Sequence, residues 1–211
     1  MNIFVLSTGR CGSTTFIKAC RHISNFSCAH ESRSGMLGDD RMDYPDNHIE
    51  ADNRLSWVLG RLDERYEDDA IYVHLKRNER DTARSFTNRY WSGIIRAYRG
   101  RGILMGVPED SDPIDVATDY CHTVNSNIEL FLKDKSKTME VHLENIEQNF
   151  AVFWDFIDAK GDIDEALKEF QTPYNASKRP RVRASAPRVV RPIPNKLRRL
   201  VATLPSYVKN V

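Results

Sequence analysis

No stretch of this 211-residue chain approaches the run of about 18 apolar residues that a membrane-spanning helix requires, so no helical span is expected within it. The opening apolar stretch, Ile3 to Leu6, follows the first Met at once. It has neither a basic leader nor the length of a signal segment, and secretion through it is not expected. Cysteine is scarce as well. Cys11, Cys20, Cys28 and Cys121 include no CxxC pair and are too few for a disulfide framework, which leads to the expectation of a reducing compartment and a cytoplasmic protein. The pairs Cys20-x-His22 and Cys28-x-His30 match no common zinc spacing, so no metal is expected. Internal repeats are absent too. What remains, with 40% hydrophobic and 29% charged residues, is the composition of an ordinary globule with one sizeable core.

Acidic residues are missing from one region only. From Gln171 to the C-terminus there is no Asp or Glu but there are ten Lys or Arg, so the whole-chain net charge of +1 leaves residues 1–170 at −9. Six of the nine prolines fall in the same region, which reads as extended or looped chain. The expected organisation is an α/β domain over residues 1–172 and a basic, Pro-rich segment over residues 173–211 that packs on it or extends from it. Such a segment is either a solvated tail or a flap that brings cations, Lys178 and Arg179 first among them, onto an anionic ligand.

Strand and helix signals alternate along the acidic part. Ile3 to Ser7 is a short β-type run, and Thr14 to Ile23 follows as a helix with Phe16, Ile17, Cys20 and Ile23 on one face. Phe26 to His30 reads as a second short strand. Asn53 is placed to cap a helix reaching about Tyr66, with Leu55, Val58, Leu59 and Leu62 at helical spacing. Ala70 to Leu75 is the most β-like run and reads as the third strand, followed by a helix carrying Ala83, Phe86 and Tyr90. A long helix carries Ile114, Ala117, Cys121, Val124, Ile128 and Phe131; Thr138 to Leu143 is strand-like and Phe150 to Ile157 helical. This order predicts a three-layer α/β fold, a largely parallel sheet flanked by helices with a P-loop-like strand-loop-helix at the N-terminus.

The first strand-to-helix turn, Ser7-Thr8-Gly9-Arg10-Cys11-Gly12-Ser13-Thr14-Thr15, carries the chemistry. Two glycines let successive amide N–H groups and the positive end of the helix converge on one point, which suits a phosphate. The hydroxyls of Ser13, Thr14 and Thr15 add donors and Arg10 adds a fixed charge. A Walker A loop would need Lys after Gly12, where Ser13 stands. At the end of the expected third strand, where a nucleotide triphosphatase holds magnesium with an Asp, the chain reads His74-Leu75-Lys76-Arg77. Arg77 offers a bidentate fork to a phosphate, and Ser85 lies about two helical turns further on. The plainer reading of Arg77 is a surface ion pair with Glu79 or Asp81.

These residues carry a resemblance. Thr8-Gly9-Arg10-Cys11-Gly12-Ser13-Thr14-Thr15-Phe16 after a strand resembles the 5′-phosphosulfate loop of the sulfotransferases that use 3′-phosphoadenylyl sulfate (PAPS), and Arg77-Asn78-Glu79-Arg80-Asp81 through Ser85 resembles their 3′-phosphate motif. Glu79 stands where the family usually has Pro, and the strand-Glu144-Asn145-Ile146 segment is similar to a later family motif. The resemblance implies that Gly9, Arg10, Cys11, Gly12, Ser13, Thr14 and Thr15 wrap the donor, with Gly12 to Thr15 at its 5′-phosphate. It implies that Arg77 and Ser85 hold the 3′-phosphate and that Arg10 steadies charge on the bridging oxygen. The implied reaction moves a sulfuryl group from PAPS, a cosubstrate, to a hydroxyl of a carbohydrate or small metabolite, with no metal. For the base, the adjacent His30-Glu31 at the end of the second strand is in place. The carbohydrate and tyrosyl-protein branches of the family have a Glu there, so Glu31 is the expected base and His30 the second candidate; a solvated loop carboxylate is the plain alternative for Glu31.

Two other functions compete with this one: a metal-dependent nucleotide kinase and a non-catalytic protein that binds adenosine 3′,5′-bisphosphate (PAP) or other polyanions. Trp57, Trp91 and Trp154 are expected as core or rim packing. The span Arg89 to Arg101, with its interleaved aromatics, is read as an acceptor-binding helix in preference to a nucleic-acid surface.

Overall fold

The structure, a computed structural model, describes residues 1–172. The basic segment expected over residues 173–211, with Lys178 and Arg179, lies outside the described residues. β1 (Ile3–Leu6) is buried at every position, as befits a strand covered on both faces. After the glycine-rich turn come α1 (Ser13–Cys20), β2 (Ser27–His30) and β3 (His48–Ala51). Next are α2 (Leu59–Tyr66), β4 (Ile71–Lys76), α3 (Glu79–Thr87) and α4 (Gly93–Ala97). The described part ends with α5 (Pro113–Leu132), β5 (Thr138–His142), α6 (Ile146–Phe156) and α7 (Ile163–Lys168).

The five strands form one sheet in the order β2-β3-β1-β4-β5, and every ladder is parallel. Side chains alternate across it, and each face has its own core. Ile3, Val5, Ile49 and Val73 pack under α1, α6 and α7, through Phe16, Phe150, Phe153 and Ala166. Phe4, Leu6 and Tyr72 pack on the opposite face under α2, α3 and α5, through Leu62, Phe86 and Tyr120. This is the three-layer α/β fold that the sequence predicts. Because β2 and β3 lie on one side of β1 and β4 and β5 on the other, the loops at the strands' carboxyl ends open onto a crevice there, the usual ligand position in such sheets.

The structure departs from the sequence reading at several places. β3 is a strand that the pattern does not reveal, so the run expected as the third strand is the fourth. The helix expected from Asn53 to Tyr66 is two pieces. A 3₁₀ turn over Asn53–Trp57 is capped by Asp52, whose side chain accepts the Arg54 amide, and Val58 at φ −134° breaks the chain before α2. α1 stops at Cys20, and Ile23 instead forms a bridge with Gly161. α6 starts at Ile146, ahead of Phe150. The Arg89 to Arg101 span is not one helix: α4 passes into a π-type turn ending at Gly102, with Arg101 left-handed at φ +73°. Trp154 is core, but Trp91 is 74% exposed with the Arg99 guanidinium 3.8 Å above its ring.

Candidate functional site

The turn after β1 is held in a shape that only its sequence allows. Gly9, Arg10 and Gly12 all have left-handed backbones, at φ +82°, +62° and +84°. The left-handed backbone is what calls for glycine at Gly9 and Gly12; a Cβ there would in addition have to displace the tips of Asn53 (Nδ2 at 2.7 Å) and Leu143 (Cδ1 at 2.8 Å). Neighbouring groups pin the turn. The Gly9 amide donates to Ser7 Oγ (3.1 Å), Thr8 Oγ1 donates to the Gly9 carbonyl (2.9 Å), and the Tyr120 hydroxyl donates to the Thr8 carbonyl (2.7 Å). α1 starts directly after Gly12 with no side-chain cap, so the first amides of the helix keep their donors for something other than the helix.

Arg10 is the exception among these left-handed residues, since a side chain there costs about 1–3 kcal/mol that the surroundings must offset. Both of its ends are held. Its Nε donates to Ser85 Oγ at 3.1 Å, and Arg77 Nη1 donates to its carbonyl at 3.2 Å. The structure thus brings Arg10, Arg77 and Ser85 together from the first turn, the end of β4 and the middle of α3. Burial, then the charges of Arg89 and Arg77, push the Arg10 guanidinium below its ordinary pKa. Asp81, offered by the sequence as a partner for Arg77, pairs with Arg84 at 3.5 Å. Glu144 accepts the Asn78 amide at 2.6 Å and so fixes the turn between β4 and α3.

On the other side of the loop, His30 and Glu31 leave the end of β2 in different directions. His30 Nε2 lies 2.9 Å from Ser13 Oγ, in contact with the start of α1. Glu31 turns left-handed at φ +52° and its carboxylate pairs with Arg54 Nη1 at 3.0 Å. Behind them stand residues that the sequence did not single out. Asp52, at the end of β3, accepts the Arg54 amide (2.8 Å) and pairs with Arg41 (2.6 Å), which also donates to the Tyr44 hydroxyl (2.8 Å). Burial pushes the Asp52 carboxyl above its usual range, against the pull of those donors. Glu50, fully buried, accepts from Ser32 and His48. Arg41, Glu50, Asp52 and Arg54 are therefore the additions of the structure, whereas Arg89 opens the span already read as an acceptor-binding helix. The only signal for those four in the sequence was the short alternation His48-Ile49-Glu50-Ala51.

Asp52 also corrects the sequence argument about magnesium. The third strand does end in a carboxylate, since the third strand is β3 and not the run before Lys76 and Arg77. That carboxylate is 1% exposed and already neutralised by a guanidinium.

No protein-family model matches the chain, and no curated protein matches it. Solved structures do. The sulfotransferase domain from the curacin biosynthetic pathway is similar with a TM-score of 0.57 at 15% identity, over 81% of this chain and 78% of that one. The mouse sulfotransferase SULT7A1, complexed with PAP, is similar with a TM-score of 0.55 at 12% identity. The likeness covers 81% of this chain and 63% of the mouse enzyme, less than two thirds of its length. The chain has the fold of these sulfotransferases, a parallel α/β sheet with a strand-loop-helix at its start. Among the described residues no helix is long and apolar enough to cross a membrane.

Proposed function

We propose that the protein transfers a sulfuryl group from 3′-phosphoadenylyl sulfate to an acceptor hydroxyl of a carbohydrate or small metabolite. The convergence of Arg10, Arg77 and Ser85 beside the turn carries this reading, because Arg10 Nε on Ser85 Oγ (3.1 Å) and Arg77 Nη1 on the Arg10 carbonyl (3.2 Å) bring two guanidinium-bearing side chains and a hydroxyl to one place, which suits an anion with more than one charged group. The residues fit the donor. The left-handed glycines turn the chain sharply into α1, whose uncapped start offers amides to a phosphate. The donor supplies a sulfuryl group activated by its bond to phosphate; the chain binds, orients and takes the proton.

In this reading Gly12 to Thr15, with Gly9 and Cys11 shaping the turn, hold the 5′-phosphate, and Arg77 with Ser85 holds the 3′-phosphate. Arg10 stabilises the charge that develops as the sulfuryl group leaves. Glu31 accepts the proton of the acceptor hydroxyl, and Arg54 keeps its carboxylate in place. His30, through Ser13, shapes the start of α1 and is the second candidate for the base. The free thiols of Cys11, Cys20, Cys28 and Cys121 suit a cytoplasmic setting. The kinase alternative loses support from the Arg41–Asp52 pair, which occupies the carboxylate such an enzyme would give to magnesium.

Calorimetry in EDTA tests the site. Adenosine 3′,5′-bisphosphate should bind without magnesium and more tightly than 5′-AMP, by the roughly 1.5–3 kcal/mol of a charge-assisted contact. Equal binding of the two would remove Arg77 and Ser85 from the 3′-phosphate. Release of sulfate from PAPS, to an acceptor or slowly to water, separates an enzyme from a protein that only binds.

A further inference from the structure

Glu50 is fully buried, yet it is the acceptor of three donors. The Ser32 amide reaches Oε1 at 2.8 Å, while the Ser32 hydroxyl (2.7 Å) and His48 Nε2 (3.1 Å) reach Oε2. His48 Nδ1 in turn lies 2.8 Å from Ser27 Oγ. Ser27 opens β2, and Ser32 follows Glu31 just past its end. One face of β3 therefore grips the edge strand at both ends. Among the described residues β2 has no other strand neighbour, so this clamp supplements its single ladder.

A buried carboxylate is an expensive way to fill a core position, and an apolar residue of similar size usually serves stability as well or better. What an apolar residue lacks is a grip on Ser32. Glu31, between Ala51, whose carbonyl takes its amide at 3.0 Å, and Ser32, is a non-glycine residue in a left-handed turn, a conformation that persists only when its neighbours over-determine it. We propose that Glu50 is a positioning residue for the transfer reaction: by holding Ser32 at both its amide and its hydroxyl it fixes the turn at Glu31 and aims the Glu31 carboxylate, which Arg54 holds from the other side. The proposal rests on the reading of Glu31 as the base.

The test is a double-mutant cycle on the full chain, with release of sulfate from PAPS to water as the rate and adenosine 3′,5′-bisphosphate as the binding probe. Glu50→Gln keeps the size but turns an acceptor into a donor facing Ser32 or His48, so turnover should fall by about 10- to 100-fold, the usual cost of a misplaced catalytic group. Bisphosphate affinity should stay within about twofold, since the donor contacts lie elsewhere. In a Glu31→Gln background the same change should cost nothing further. An equal loss in both backgrounds would make Glu50 merely structural and overturn the proposal. A Glu31→Gln protein that works at the wild-type rate would instead sink the base assignment itself, whatever Glu50 does. Should Glu50→Gln not fold, Ser32→Ala removes a single donor and runs through the same cycle, with a smaller loss that must likewise vanish beside Glu31→Gln.

Discussion

At the carboxyl ends of β1 and β4, burial, and after it the charges of Arg89 from just past the end of α3 and of Arg77, make Arg10 hold its proton less tightly than a free guanidinium. At the ends of β2 and β3, within the same crevice, charges are matched: Glu31 with Arg54, Asp52 with Arg41, and Glu50 with the donors of Ser32 and His48. In the proposed function the first region takes the anion, and binding there would add stability to the folded state. The second is complete without a ligand. In the proposed function the difference is a division of labour, in which one half of the crevice would take charge and the other would fix the aim of one carboxylate.

The largest effect that would test this contrast is on the matched side. Arg41→Met strands Asp52 as a buried carboxylate and should destabilise the protein by about 3–5 kcal/mol in urea unfolding, with bisphosphate affinity of the folded protein unchanged. A loss below about 1 kcal/mol would mean that this side is not held together by its pairs. Next is Glu31→Gln, which keeps shape but not basicity. Turnover should drop by about 100-fold or more at constant bisphosphate affinity; a parallel loss of affinity would blur the two halves. Arg77→Ala belongs to the crowded side. It should weaken the bisphosphate by about 1.5–3 kcal/mol, flatten the salt dependence of binding and leave 5′-AMP nearly unaffected, all readable by calorimetry.

The smallest effect sets the acid background against which both halves are measured. His74 is fully buried on β4 with Nε2 3.3 Å from Asn125 Oδ1, and burial pushes its pKa from 6.5 down to about 4. Between those values the unfolded chain takes up a proton that the folded protein refuses, so stability should fall as pH drops through this window and stay level above it. Urea midpoints from about pH 7 to about pH 4 should show the slope in the wild type and lose it in His74→Gln. A slope that survives the substitution would assign the acid sensitivity to another group.

The crowded half was largely legible in the sequence, whereas of the matched half only His30 and Glu31 were, for physical reasons. Glycine at Gly9 and Gly12, hydroxyls at Ser13 to Thr15 and Arg77 at the end of an apolar strand are local signals, each set by its own backbone and near neighbours. β3 carries His48 and Glu50 on its polar face, and their burial is made tolerable only by partners from β2, so the strand has the composition of a loop. Arg41 lies in a short 3₁₀ turn with nothing nearby in sequence to announce its partner Asp52. The helix read through Val58 failed differently. Leu55 and Leu62 face one core from either side of the break, and periodicity records which face is buried, not whether the backbone is continuous.

Arg77 reaches the Arg10 carbonyl at 3.2 Å, and this contact bears on the speed of recognition. A long side chain that must be ordered by its ligand loses rotamer freedom at the moment of encounter, about 0.5–1.5 kcal/mol for each such group. Here the guanidinium is already extended across the mouth of the turn, so that entropy is lost when the chain folds. In the proposed function an arriving phosphate would exchange a neutral carbonyl acceptor for an anionic one without ordering a free side chain. Capture of the nucleotide should therefore be a single fast step limited by encounter, with discrimination expressed in how long the ligand stays.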